Sequence, residues 1–296
     1  MFFKRHRWAI AYTLALLGFT GYLAVDTFAI SRVYTVVESE ASNTSETESS
    51  GNVVSTETAY SDDNITISLT EYRESDTSIY VADVQVSSPE YLKTALAQNA
   101  YGRNVTEKTS EMAEDNNAIL AINGDYYGAQ ESGYVIRNGV IYRDVASDGQ
   151  EDLVIYQDGS LGIIQEDEIT AQELLDNGAQ QVLSFGPALL ENSTISVSQS
   201  DEVGKAKASN PRTAIGIIDD LHYVFVVSDG RTSESTGLSL YQMAEFMQSL
   251  GAETAYNLDG GGSSTMYFNG EVVNNPTTNG SRIEERSVSD IVYIGE

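Results

Sequence analysis

The stretch Ala255-Tyr256-Asn257-Leu258-Asp259-Gly260-Gly261-Gly262-Ser263-Ser264-Thr265-Met266-Tyr267-Phe268 sets the pattern for the chain. A short apolar run ends in Asn257 and Asp259. Three glycines and two serines follow, and a strand-like Thr-Met-Tyr-Phe resumes. Glycine loses the most backbone freedom on folding, so consecutive glycines make sense where the chain must turn sharply or come close to a ligand. Successive N–H groups in such a turn can form a concave nest for an anion. Asp259 and Asn257 stand at its mouth, with the Ser263 and Ser264 hydroxyls beside it. An ordinary Asp-Gly turn between two strands is the competing reading. A hairpin needs neither the extra glycines nor the paired serines, which favours a site.

The same pattern recurs elsewhere. Ala118-Ile-Leu-Ala-Ile, a short continuous apolar run of the kind found in buried strands, ends in Asn123-Gly124-Asp125. Tyr223-Val-Phe-Val-Val ends in Ser228-Asp229-Gly230-Arg231. Arg212 stands just before another apolar run, Ala214-Ile215-Gly216-Ile217-Ile218. Each motif has an ordinary reading alone: Asn-Gly-Asp as a turn, Arg212 as half of a surface ion pair. Polar clusters at three strand ends together point to a ligand site at one edge of the sheet.

The intervening segments supply the scaffold. Residues 65–72 and 78–86 alternate with period two, as half-buried strands do. Asn138-Gly139 and Asp158-Gly159 mark hairpins. Pro89 to Ala97 reads as a short helix or wrapped loop, 109–117 and 169–177 as helices, and 182–190 as a strand broken at Gly186-Pro187. Leu238 to Leu250 reads as an amphipathic helix closed by Gly251, and 286–294 as a final strand. The expected class is α+β: a mixed β-sheet with flanking helices in one globular domain, residues 60–296.

Composition narrows the partners. The chain has 296 residues, 44 acidic and 16 basic, for a formal net charge of −28. Such a balance argues against nucleic acid, whose phosphates need clustered Lys and Arg. It makes Arg212 and Arg231 scarce cations beside the clusters. There is no cysteine, so no disulfide, thiolate metal site or cysteine nucleophile, and the two histidines exclude a multi-histidine site. The residues single out no cofactor, and the carboxylate and amide oxygens leave Ca²⁺ or Mg²⁺ open.

At the N-terminus, Lys4, Arg5 and Arg7 precede Trp8 to Val25, which holds no charge. As a helix these residues span about 27 Å, close to a hydrocarbon core of about 30 Å. The expectation is a cytoplasmic tail 1–7, a single-pass anchor 8–30 and everything beyond it outside the membrane. A cleaved signal peptide is the rival, but Thr27-Phe28-Ala29 is a poor cleavage site. Residues 31–59, rich in Ser, Thr and Glu, read as a disordered acidic spacer holding the domain away from the membrane. A cysteine-free exported chain fits a bacterial surface.

Taken in order, Asn123-Gly124-Asp125-Tyr126-Tyr127, Phe185-Gly186-Pro187, Arg212-Thr213-Ala214-Ile215-Gly216, Asp229-Gly230-Arg231, Asn257 to Thr265 and Arg286-Ser287-Val288 resemble the phosphodiester glycosidase family. The resemblance covers roughly residues 100–296, and the Asn-Leu-Asp-Gly-Gly-Gly-Ser-Ser run is its most specific part. It implies hydrolysis of a sugar-1-phosphodiester, with water ending on the sugar and the phosphate staying on the aglycone. Bacterial relatives are associated with exopolysaccharide biosynthesis, which implies a cell-wall or surface-glycan substrate. On this basis Asp259 and Asp229 are expected to carry carboxylate chemistry, with Asp125 a third candidate. Arg212 and Arg231 would hold the phosphate. Gly260, Gly261 and Gly262, with Ser263 and Ser264, would cradle its oxygens, and Asn123 and Asn257 would bond the sugar or orient neighbours. Two other classes stay open: a non-catalytic module binding an anionic glycan or teichoic-acid-like polymer, and a glycosyl-phosphate transferase.

Overall fold

The computed structural model describes residues 7–37, 53–201 and 209–296. Most of the expected cytoplasmic tail and residues 38–52 of the expected spacer lie outside these.

The domain is α+β, built from three large sheets and one two-stranded sheet among the described residues, with helices at their flanks. The nine-stranded sheet runs, in spatial order, Thr194–Ile195, Ala188–Glu191, Thr254–Leu258, Arg212–Asp219, His222–Ser228, Thr77–Val86, Ile65–Glu74, Ala59–Ser61 and Val54–Ser55. A five-stranded sheet runs Glu271–Val272, Met266–Phe268, Leu120–Asn123, Asp290–Ile294 and Leu92–Leu96. Another contains the two Gly-turn hairpins: Val140–Arg143, Val135–Arg137, Ala179–Leu183, Glu151–Tyr156 and Leu161–Gln165. Neighbouring strands in the nine-stranded sheet are antiparallel along its length.

Period-two alternation explains the layers. On the central strand His222–Ser228, Tyr223, Phe225 and Val227 enter one core with Ile122, Leu183, Leu258 and Val292, contributed by all three sheets. Val224 and Val226 point the other way, into a second core under the helix Leu240–Ser249. That helix buries Leu240, Met243, Ala244, Phe246 and Met247, a spacing that follows the helical period. Each of its larger side chains contributes about 1.5–3 kcal/mol on burial. A capping box opens it: Gln242 N donates to Ser239 Oγ at 3.1 Å, and Ser239 N donates to Gln242 Oε1 at 2.9 Å.

Three segments differ from expectation. Pro89–Tyr91 is one 3₁₀ turn, and Leu92–Leu96 is a strand pairing with Asp290–Ile294. Its partner lies almost two hundred residues away, so nothing local marks the pairing. The last strand begins at Asp290, leaving Arg286 in the preceding loop. The spacer is shorter than 31–59 at both ends. Arg32–Val36 pairs antiparallel with Ala100–Arg103, and Val54–Ser55 pairs with Tyr60 and Ser61 in the nine-stranded sheet. Arg32-Val-Tyr-Thr-Val is rich in β-branched and aromatic residues, which favour a strand, although all five stay exposed.

At the N-terminus, Arg7–Phe28 is one α-helix with its apolar side chains exposed. Trp8–Phe28 is long and apolar enough to cross a membrane.

Candidate active site

The three strand ends converge. Asn123 Nδ2 donates to the Asp259 carbonyl at 2.6 Å, while its Oδ1 accepts from Thr213 Oγ1 at 2.8 Å and Thr265 N at 3.2 Å. Asp259 N donates in turn to the Gly124 carbonyl at 3.2 Å. Asn123 is fully buried and spends its amide on clamping these strands. Asn257 is equally buried, and its Nδ2 donates to the Gly186 carbonyl at 2.7 Å, tying down the cis Gly186–Pro187 turn.

The glycine run is a matter of space. A Cβ on Gly260 would fall 2.9 Å from the Pro211 carbonyl oxygen, on Gly261 2.7 Å from Arg231 Nη2, and on Gly262 2.5 Å from Thr278 Oγ1. Gly261 also takes φ +63°, a region costly to L residues. The N–H groups of the run are largely used within the protein. Gly261 N donates to Pro211 O at 2.8 Å, Ser263 N to Gly260 O and Ser264 N to Gly261 O, both at 3.3 Å. The Gly260 N–H supports the Asp259 carboxylate. The expected anion nest is thus mostly a tight turn that presents Asp259 and Ser263 and leaves room for an arginine.

Asp259 and Arg286 form the polar centre. Ser263 Oγ donates to Asp259 Oδ2 at 2.5 Å, Arg286 Nη2 reaches the same oxygen at 3.3 Å, and Arg286 Nε donates to Ser263 Oγ at 3.0 Å. Burial pushes the Asp259 carboxyl above its ordinary range, opposed by the Ser263 hydroxyl and the Arg286 charge. Asp259 is only 8% exposed, whereas the Arg286 side chain is 41% exposed. Arg231 lies on the other side of Gly261, with Nε and Nη2 donating to Asn210 Oδ1 at 3.1 and 3.0 Å. Its pKa is lowered by partial burial and then by the nearby Arg286 charge, so the two guanidinium groups feel one another. Two arginines beside one buried carboxylate make a locally positive patch on a strongly acidic protein.

The other expected residues sit around this centre. Asp229 is buried and saturated: Asn275 N and Nδ2 donate to it at 2.8 and 2.9 Å, Asn274 Nδ2 at 3.3 Å and Tyr80 OH at 3.4 Å. Asn274 also donates to the Ser264 carbonyl, so Asp229 braces the segment after the glycines. Ser264 is itself fully buried. Arg212 is buried, with Nε donating to the Leu238 carbonyl at 3.0 Å.

Asp125 belongs to a buried ionic cluster that the strand-end pattern only half reveals. Its Oδ2 accepts from Arg137 Nη2 at 2.9 Å and Ser184 N at 3.0 Å, and its Oδ1 from Tyr127 N at 2.8 Å. Arg137 also donates to Asp290 Oδ2, from Nη2 at 2.5 Å and from Nε at 3.1 Å. Burial alone would weaken the Arg137 cation, but the Asp290 and Asp125 carboxylates hold its pKa above the ordinary value. Burial, then repulsion from Asp125, pushes Asp290 up to about 7. A neighbouring buried carboxyl, Asp152, is also driven up by burial and by Glu166. Arg137, Asp290, Asn275 and the pairing of Arg286 with Asp259 are not legible in the sequence. Arg137 reads locally as a hairpin residue, and Asp290 sits inside an apolar strand pattern. Arg286 had two signals: it is among the few cations of the acidic chain, and Arg286-Ser287-Val288 is the last motif of the family resemblance.

Among the described residues, no three His, Cys, Asp or Glu side chains converge in a way that could hold a metal ion. A cavity of about 980 Å³ opens elsewhere, along Leu92–Leu96 and Gln180–Gln181, and touches the ionic cluster only at Arg137. Its size is no guide to chemistry, because neither Asp259 nor either exposed arginine lines it.

An α+β fold whose strand ends gather a buried, arginine-paired carboxylate defines a class suited to phosphate-bearing substrates. The chain belongs to the phosphodiester glycosidase family, whose model matches residues 116–295. It is 32% identical over 193 residues to the human N-acetylglucosamine-1-phosphodiester alpha-N-acetylglucosaminidase, an alignment covering 59% of this chain and 36% of the human one. It is 31% identical over 180 residues to the SPbeta prophage-derived protein YomE of Bacillus subtilis, covering 59% and 28%. The alignments thus span about a third of these relatives' length. The zebrafish N-acetylglucosamine-1-phosphodiester alpha-N-acetylglucosaminidase catalytic domain, auto-inhibited by its pro-peptide, shares the fold with a TM-score of 0.62 at 23% identity, over 78% of this chain and 83% of that one.

Proposed function

We propose that the chain is a hydrolase that cleaves a sugar-1-phosphodiester at the glycosyl–oxygen bond, held in a membrane through residues 8–30 with its domain outside. The observation that carries this reading is Asp259 paired with Arg286, with Arg231 near enough to feel both charges. A phosphodiester carries one negative charge, and the departing phosphate monoester carries close to two. Paired guanidinium groups therefore favour the transition state over the ground state, which is what accelerates a reaction. Arg286 and Arg231 hold the phosphate oxygens, and Asp259 takes the proton of the attacking water or faces the positive charge developing at the sugar carbon. Asp125 and Asp229 hold the surrounding segments. The match to human and zebrafish enzymes with this bond in their names supports the assignment.

A module that merely binds an anionic glycan fits less well. A buried carboxylate beside the anion weakens anion binding, so a binder gains nothing from Asp259. The outward domain suits a surface-glycan substrate.

The test uses the full chain in detergent with a sugar-1-phosphate methyl diester in oxygen-labelled water, read by phosphorus NMR and mass spectrometry. Free sugar carrying the label, plus methyl phosphate without it, is expected. Label in the phosphate would identify a phosphodiesterase instead. A new glycosidic product would identify a transferase, and saturable binding without turnover a binding module.

A further inference from the structure

The apolar helix and the globular domain meet without slack. Asn104, at φ +53°, turns its side chain so that Nδ2 donates to the Thr27 and Ile30 carbonyls, each at 3.1 Å. Carbonyls at a helix C-terminus have no partner within the helix, so Asn104 caps it from the domain side. Ser31 Oγ donates to the Asn104 carbonyl at 2.7 Å, and Arg32 pairs with Asp26 on the helix at 2.5 Å. The strand Arg32–Val36 then pairs with Ala100–Arg103, and Val37 N donates to the Asn99 carbonyl at 2.8 Å. Gly102 is matched to this pairing: a Cβ there would lie 2.1 Å from the Arg32 carbonyl oxygen, so a side chain would push the strand away.

The same asparagine leads to the site. Asn104 N donates to the Gly128 carbonyl at 3.0 Å, and Gly128 follows Asp125 by one short turn; the preceding Gly124 carbonyl accepts from Asp259 N at 3.2 Å, which ties this segment to the polar centre. Three residues at most about 3.6 Å apart, one asparagine side chain and two hydrogen bonds place the Asp125 Cα no more than about 25 Å from the helix end. In a spanning helix that end meets the headgroup layer, which is about 5–7 Å deep on each side. The segment between helix and domain therefore positions the site near the lipid surface, where a long acidic spacer would have lifted it away.

We propose that the helix, the strand Arg32–Val36 and Asn104 form a stiff stem that holds the site over the bilayer, and that the substrate is a sugar phosphodiester whose aglycone is itself embedded in that bilayer. This rests on the membrane-anchored hydrolase reading. Water adds its hydroxyl to the sugar carbon and its proton goes to the departing oxygen. The sugar leaves into solution, and the lipid keeps the phosphate as a monoester. Tyr126, next to Asp125, is exposed.

Two measurements on the full chain in lipid vesicles test this. The chain has no cysteine, so Tyr126→Cys gives a single labelling position for energy transfer to a headgroup acceptor. A distance within the bound above is expected; one twice as long overturns the stem. Next, a Gly/Ser insertion of about 20 residues between Ile30 and Ser31 adds slack but leaves the domain intact. The ratio of turnover of a vesicle-inserted long-chain alkyl sugar-1-phosphodiester to that of the soluble methyl diester should fall about fivefold on insertion. The methyl diester rate should stay unchanged. An unaltered ratio, or no preference for the inserted diester in the parent chain, overturns the substrate assignment. If the parent turns over neither diester, the hydrolase reading fails, and the energy-transfer distance still decides the stem.

Discussion

Arg286 Nη2 lies 3.3 Å from Asp259 Oδ2, and the Ser263 hydroxyl bridges the same two side chains. The arginine side chain is far more exposed than the carboxylate, 41% against 12%, so in the proposed reaction the substrate phosphate would meet Arg286 first and Asp259 behind it. Burial and the arginine push the Asp259 pKa in opposite directions, which suits a group that must both accept and return a proton.

Asp259→Asn should therefore lower kcat by about a hundred- to ten-thousand-fold while leaving the fold intact. Asparagine keeps an oxygen to accept from Ser263. The check is turnover of the methyl diester alongside the thermal unfolding midpoint. Parent-like turnover from a folded variant would remove Asp259 from the chemistry.

Lysine in place of either exposed arginine keeps the charge and loses the planar fork. Arg286→Lys should cost about ten- to a hundredfold in kcat/KM, the scale of a lost charge-assisted hydrogen bond. Arg231→Lys should act mainly on KM, because its other donors are engaged with Asn210 and Thr278. Steady-state kinetics of both variants separate the two effects.

The strands, the hairpins and the capped helix Leu240–Ser249 were legible because period and turn chemistry are local signals. The convergence of residues 123–125, 229–231 and 257–263 was legible because one polar pattern recurs at three strand ends. What stayed hidden depends on distant partners. Leu92–Leu96 finds its strand partner at the far end of the chain, and Arg137 finds Asp290 from another sheet. The glycine run showed that space was needed but not for what: Pro211, Arg231 and Thr278 fill it. Arg286 read as the start of the last strand and as part of the family motif, but its pairing with Asp259 depends on the loop before Asp290, whose path carries no local signal.

Arg137→Met should be severely destabilising, by about 3–5 kcal/mol, because it leaves buried carboxylates without their counter-charge. Asp125 and Asp290 are 1% and 0% exposed, so water cannot take the arginine's place. Chemical denaturation of the variant measures the loss, and the Asp290→Asn variant should recover part of it by removing one of the two charges.

The same cluster predicts how stability varies with pH. The Asp290 carboxyl has an ordinary value of 3.8 and is pushed up to about 7 in the fold. Across that window the folded chain holds a proton that the unfolded chain has released. The stabilisation is complete below the unfolded value and is lost as pH rises through about 7. Asp152 and Asp259 are shifted in the same direction. The unfolding midpoint should thus decline as pH rises from about 4 to about 7 and level off above that, and Asp290→Asn should flatten the decline. A midpoint that rises over this range contradicts the buried protons.

Two glycine variants separate backbone strain from site geometry. Gly261 has φ +63° and Gly251 has φ +87°, so alanine at either position strains the backbone by about 1–2 kcal/mol. A Cβ on Gly251 meets nothing within 4 Å, whereas one on Gly261 falls 2.7 Å from Arg231 Nη2. The guanidinium is the far end of a flexible side chain, so it will swing away and leave the fold standing. Gly251→Ala should lower only the unfolding midpoint. Gly261→Ala should lower it similarly and also raise KM for the diester about tenfold, the scale of one lost charge-assisted contact. Equal KM values in the two variants would show that Arg231 does not touch the phosphate.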